Sequence, residues 1–173
     1  MFFKESKNFL SKESIKFIEN VVLGNGFPYY ILNSSISEKE DKSLCHIVLK
    51  RPKDRKIDEL YNSIYYKETI QILNEFLYST KIECNLFTRI SYNLSYNNGF
   101  EKCGEHQDHV FPHKQIIIYL DYLDKDSSTV IINNGKEKII KPEKLKGICF
   151  ENLSHYFIYP KFGHRLTLVA TFI

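Results

Sequence analysis

The sequence predicts an α+β fold, with helices first and antiparallel strands after them. Three observations carry this reading: apolar residues spaced three and four apart before residue 80, short β-branched and aromatic runs after residue 85, and the turn dipeptide Asn134-Gly135 between two of those runs. Helices followed by a series of short strands suggest that the strand-rich half is a β-sandwich or jelly roll, and that function sits inside it.

Residues 12–22 place Ile15, Ile18 and Val22 on one stripe, with Ser11 as N-cap and Gly24 just past the end, and are predicted as an amphipathic helix. Residues 33–43 are polar or charged apart from Ile36 and read as an exposed loop. A second helical region is expected over residues 57–79, with Leu60 and Ile64 on one stripe and Ile70, Leu73 and Leu77 on the next. Strands are expected at 86–96, 114–122, 128–133, 136–140, 146–150 and 165–172. Asn134-Gly135 fits a type I′ hairpin, whose two central residues both need positive φ.

At 173 residues with 43% hydrophobic side chains, the chain has enough for one domain with a core and too little for two, so residues 1–173 are read as a single domain. Its helical support is expected at about 1–80 and its strand core at about 85–173. The balance of 24 basic and 21 acidic residues gives a net charge of +3, which argues against a binder held to nucleic acid mainly by phosphate neutralisation. No apolar run approaches the roughly 20 residues needed to cross a bilayer, and MFFKESKNFL lacks the apolar core of a secretory leader. A soluble, cytoplasmic chain with no membrane partner is therefore expected. The scattered Cys45, Cys84, Cys103 and Cys149 contain no CxxC pair and read as free thiols.

Three of the six histidines fall in Gly104-Glu105-His106-Gln107-Asp108-His109-Val110-Phe111-Pro112-His113. On an extended backbone, residues two apart point the same way, so His106 and Asp108 can converge on one cation. Alone, such a triplet is weak evidence and is more often a turn with a solvated histidine and an Asx-type hydrogen bond. A third ligand from a distant strand, His155, would complete two imidazoles and a carboxylate with open positions beside them, the ligand set of non-haem Fe(II) oxygenases. A co-substrate that chelates the iron needs a cation for its far carboxylate, and the guanidinium of Arg165, ten residues on, supplies one. Thr167 projects to the same face and can donate a hydroxyl hydrogen bond.

In its order of H-x-D, a long interval, a histidine and an arginine ten residues later, the chain resembles the 2-oxoglutarate- and Fe(II)-dependent dioxygenases. The segments LSKESIKFIENVVLGNGFPYYI, TRISYNL and HQDHVFPHKQIIIYLDYL look like those of small single-domain members from phages and other viruses. The resemblance implies a double-stranded β-helix, a jelly-roll variant; the N-terminal helices are expected either to pack on it or to form a dimer contact. It implies that Fe(II) is bound by His106, Asp108 and His155, and that 2-oxoglutarate is held through its C5 carboxylate by Arg165 and Thr167. Asn93 and Tyr96, on the strand before the triplet, are the nearest matches to a co-substrate contact made in many members. Threonine at 167 departs mildly from the common Arg-x-Ser, and Asp126-Ser127-Ser128-Thr129 replaces a glycine-rich turn, which should affect only a loop. The implied reaction is hydroxylation with release of succinate and CO2, since halogenating relatives lack the carboxylate that Asp108 supplies.

Among rivals, His164 would leave no arginine ten positions on within the chain and would put Arg165 on the opposite strand face. His109 and His113 read as loop or pocket-wall residues, Cys103 as a ligand suited to softer metals, and Tyr119, Tyr156 and Tyr159 as core and rim. A cupin-like module that binds a metal without turnover, and a structural protein with an accidental triad, are the alternatives. The near-neutral charge favours a protein side chain or a small molecule as substrate over a nucleic acid.

Overall fold

Ten strands and two helices are formed by the residues that the structure, a computed structural model, describes: 2–33, 42–52 and 61–173. Seven strands make one antiparallel sheet in the order β1 (Phe3–Ser6), β8 (Gly147–Glu151), β5 (Lys114–Tyr122), β10 (His164–Phe172), β4 (Phe87–Tyr96), β3 (Lys42–Leu49) and β2 (Tyr30–Asn33). A second antiparallel sheet has the order β7 (Lys136–Ile140), β6 (Thr129–Asn133), β9 (Ser154–Phe157). The six strands expected from the sequence form, within a residue or two of their expected ends. Asn134 and Gly135 join β6 to β7 with φ of 50° and 74°, as a type I′ turn requires.

The larger sheet is covered on both faces, and its alternation sorts side chains between two cores. Ile116, Ile118 and Leu120 of β5 and Leu166, Leu168, Ala170 and Phe172 of β10 pack with the helices. Ile117, Tyr119 and Val169, one residue out of phase, pack with Ile131 and Ile140 of the smaller sheet. The helices therefore back the sheet.

Ser11 caps α1 (Lys12–Phe17) as expected, its Oγ accepting from the Ser14 N–H at 3.2 Å. The helix passes into a π-helical turn over Ile18–Val22 that buries Ile18 and Val22. α2 (Tyr66–Thr80) starts later than its periodicity suggests. Residues 57–60, Leu60 included, lie outside the described residues, and Ile64 is 85% exposed ahead of the helix. Ser63 sets the start, taking the Tyr65 N–H on its hydroxyl and the Tyr66 N–H on its carbonyl. The buried face is Thr69, Ile72, Leu73, Phe76 and Leu77, rotated from the expected stripe so that Ile70 is only half-buried. Lys81, at φ 54°, ends the helix, and the Ile82 N–H closes on the Leu77 carbonyl.

The first eighty residues do more than support. They also supply β1, β2 and β3 to the large sheet, strands that the sequence reading did not find, as it did not find β9. The loop expected at 33–43 begins and ends inside β2 and β3, and residues 34–41 lie outside the described residues.

At Gly147 the sheet and α2 approach closely: a Cβ there would lie 2.4 Å from the ring of buried Phe76. Gly147→Ala is expected to destabilise the protein by about 1–3 kcal/mol through overpacking. Denaturant titration should show the loss, and Phe76→Leu in the same chain should recover part of it.

Candidate metal and carboxylate site

The His-x-Asp triplet lies in the segment between β4 and β5 and not on a regular strand, which corrects the extended-strand argument for it. His106 makes an isolated antiparallel bridge with His155, each backbone N–H reaching the other's carbonyl at 3.0 Å, and Asp108 sits in a bend. The bridge brings the triplet to β9, where His155 is held in register with Ile131 of β6. One ligand atom from each of His106, Asp108 and His155 lies within 4.8 Å of the others, the two imidazole rings are 4.5 Å apart, and His155 Nε2 is 3.7 Å from Asp108 Oδ2.

Backbone carbonyls fix the ring orientations. His106 Nδ1–H donates to Gly104 at 2.8 Å and His155 Nδ1–H to Leu153 at 3.1 Å, which leaves both Nε2 lone pairs for the shared space. Burial pushes the pKa of His155 down to about 4 against the pull of Asp108, so the ring is neutral at pH 7. Burial opposes ionisation of Asp108, yet Arg89, the two histidines and Arg51 hold its pKa well below the usual carboxylate range. Arg89 Nη1 and Arg51 Nη2 donate to the same oxygen, Oδ1, at 2.9 and 3.2 Å, leaving Oδ2 turned toward His155.

A cavity of about 210 Å³ opens beside this cluster. Its lining includes all three clustered side chains together with Arg165, Thr167, Asn93 and Tyr96. Asn93 lies across from Thr167 in the β4–β10 register and shares its face, whereas Tyr96, the last residue of β4, is out of phase and 47% exposed.

Arg165 is 4% exposed, and its Nη2 donates to Thr129 Oγ1 at 2.8 Å. The same oxygen accepts from the Tyr119 hydroxyl at 2.8 Å, and the guanidinium lies 4.9 Å from the Phe157 ring centre. Burial draws the pKa of Arg165 below its usual value, and among the described residues it is Tyr119 and Cys103, not a carboxylate, that counter this. Arg165 Nε and Thr167 Oγ1 are both buried without a hydrogen-bond partner. A carboxylate fits these orphaned donors, and the two imidazoles and one carboxylate nearby fit a divalent iron.

Sequence reasoning gave no site role to Thr129, Arg89, Arg51 or Gln115, and read Tyr119 as core or rim. Arg89 could have been found, because it stands four residues before Asn93 on the same strand face; Arg51 carries no local signal. The departure at Asp126-Ser127-Ser128-Thr129 was expected to affect only a loop, yet Thr129, within the strand expected at 128–133, opens β6 and holds Arg165. His164 pairs with Asp121 at 3.0 Å, outside the ligand cluster. His109 is buried against Thr171, its Nε2 2.8 Å from Thr171 Oγ1, and stacks on Phe111.

No family model and no curated protein sequence matches the chain. Solved structures do. An oxidoreductase of the 2OG-Fe(II) oxygenase family from Burkholderia pseudomallei superposes with a TM-score of 0.73 at 13% identity, over 98% of this chain and 84% of its own. The chain has the fold of the 2-oxoglutarate- and Fe(II)-dependent oxygenases. The resemblance to small viral members is carried by the viral collagen prolyl hydroxylase of Paramecium bursaria Chlorella virus-1 (TM-score 0.58, 15% identity, 99% and 95% of the two chains). A Pseudomonas putida prolyl-4-hydroxylase is also similar (0.57, 12%, 98% and 91%). In this oxygenase fold no helix among the described residues is long and apolar enough to cross a membrane.

Two outcomes follow from the charges around the cluster. Arg89→Met removes the nearer counter-charge of a buried carboxylate and should lower the stability of the metal-free protein by about 3 kcal/mol. Mn(II), replacing the missing cation, should then raise the melting midpoint more in the variant than in the wild type. The pKa of His109 is likewise pushed down to about 4, by burial first and then by His113. Between that value and the unfolded 6.5, the unfolded chain binds the extra proton, so metal-free stability should fall as the pH drops through this window. Denaturant titrations at pH 7 and pH 5 should record the loss, and His109→Asn should reduce it.

Proposed function

We propose that the chain is a 2-oxoglutarate- and Fe(II)-dependent dioxygenase that hydroxylates its substrate with release of succinate and CO2. The observation that carries this reading is the pairing of a two-histidine, one-aspartate cluster with a buried guanidinium that meets no counter-anion among the described residues, in one cavity of an oxygenase fold. The two facing sheets read as a double-stranded β-helix of the jelly-roll class.

His106, Asp108 and His155 would hold Fe(II). Arg165 and Thr167 would take the C5 carboxylate of 2-oxoglutarate, with Thr129 and Tyr119 fixing the guanidinium, and Asn93 would contact the co-substrate from β4. Bound together, iron and the keto acid supply oxidising power that no side chain here possesses. The protein contributes three things. Arg51 and Arg89 keep Asp108 ionised with one oxygen free; the two sheets exclude water; and the neutral His155 imidazole presents a lone pair without a proton to displace. The carboxylate at 108 supports hydroxylation over halogenation. The near-neutral charge supports a protein side chain or a small molecule as substrate, and the similarity to two prolyl hydroxylases agrees with the former.

A melting titration tests the assignment, because a ligand that binds only the folded state raises the midpoint. Mn(II) should raise it, and 2-oxoglutarate should raise it further only when Mn(II) is present. Arg165→Leu should lose the second increment while keeping the first, with Arg165→Lys retaining part of it. A response to metal alone in the wild type would favour the cupin-like module, and a response to neither would leave the cluster without a role.

A further inference from the structure

Gln115, the second residue of β5, faces the cavity beside the ligand cluster and is 3% exposed. Its Nε2 lies 3.2 Å from His155 Nε2, and its Oε1 is buried without a partner. The tautomer of His155 decides the orientation of the amide. Because Nδ1–H is committed to the Leu153 carbonyl, Nε2 carries a bare lone pair that accepts from an amide N–H and would repel an amide oxygen.

That lone pair is also the one through which His155 would join His106 and Asp108 around a cation. A ring nitrogen has a single in-plane lone pair, so Gln115 and a metal compete for it. When the metal takes it, a buried amide is left with an idle donor next to the coordination sphere and an acceptor already idle. Such groups are costly unless a new partner arrives.

We propose that Gln115 is a positioning residue that exchanges acceptors: its amide N–H is held by His155 in the metal-free protein and donates, once the metal is bound, to an oxygen of the keto-acid co-substrate beside His155. The proposal rests on the oxygenase reading and assigns to β5 a contact with the metal-chelating end of the co-substrate, opposite the end held by Arg165. Its role differs from that of a side chain that merely props His155, because a prop would support metal binding, whereas a competitor opposes it.

Calorimetric titrations of Mn(II) into the full chain, and of 2-oxoglutarate into the Mn(II)-saturated chain, separate the two roles. Gln115→Met keeps most of the volume and removes the amide. It should bind Mn(II) as tightly as the wild type or several-fold more tightly, and 2-oxoglutarate about tenfold more weakly, the size of one hydrogen bond to a charged group. Gln115→Glu, which substitutes an anion, should tighten Mn(II) and weaken 2-oxoglutarate further. Parallel weakening of both ligands in the Met variant, or a 2-oxoglutarate affinity within about twofold of wild type, would overturn the proposal while leaving the oxygenase reading intact. A wild-type chain that takes up Mn(II) but no 2-oxoglutarate would overturn both.

Discussion

The alternation of side chains on a sheet buried from both sides is the constraint from which the rest of the molecule follows. On β10 the even positions Leu166, Leu168, Ala170 and Phe172 enter the helix-backed core, which forces Arg165 and Thr167 onto the opposite face. A register slip of one residue would put a guanidinium under the helices and leucines in the cavity. The apolar pattern that stabilises the fold is thus the same pattern that aims its polar residues. β4 and β5 obey it too, with Ile90 and Ile116 turned to the helices while Arg89, Asn93 and Gln115 line the cavity.

Charge is distributed unevenly across that cavity. Asp108 has two guanidiniums on one oxygen, more positive charge than it carries negative, while Arg165, among the described residues, meets a hydroxyl, aromatic rings and Cys103 and no carboxylate. Buried charge without a counter-ion is costly, and the protein retains it together with the orphaned donors on Arg165 and Thr167. A dianionic keto acid chelating a metal would complement both regions, meeting Arg165 at one end and the metal cluster at the other. The hydroxyl pair of Thr129 and Tyr119 holds the guanidinium in place without neutralising it, so the charge remains directed at the cavity.

Much of the site was legible because its residues are chemically distinctive: two histidines and an aspartate at telling intervals, and an arginine on a largely apolar strand. The reason given for His106 and Asp108 was nevertheless incomplete. They converge through a backbone bridge to His155 and a bend, not through the pleat of a regular strand. β9 escaped notice because four residues carry too little pattern to announce a strand, and its order comes from pairing with β6 and with the triplet itself. Arg51, Thr129 and Gln115 were invisible for a related reason, since each acts on a partner at least 36 residues away along the chain.

Local pattern therefore determined six of the ten strands, the capped first helix and the type I′ hairpin. Each of these depends on interactions within a few residues, or on alternation that a single segment displays by itself. Tertiary structure decided the recruitment of β1 to β3 into the large sheet, the start and buried face of α2, and the neighbours of Asp108, His155 and Arg165. Those outcomes depend on which distant surfaces meet. No local run of residues encodes the shape or charge of the element that will pack against it.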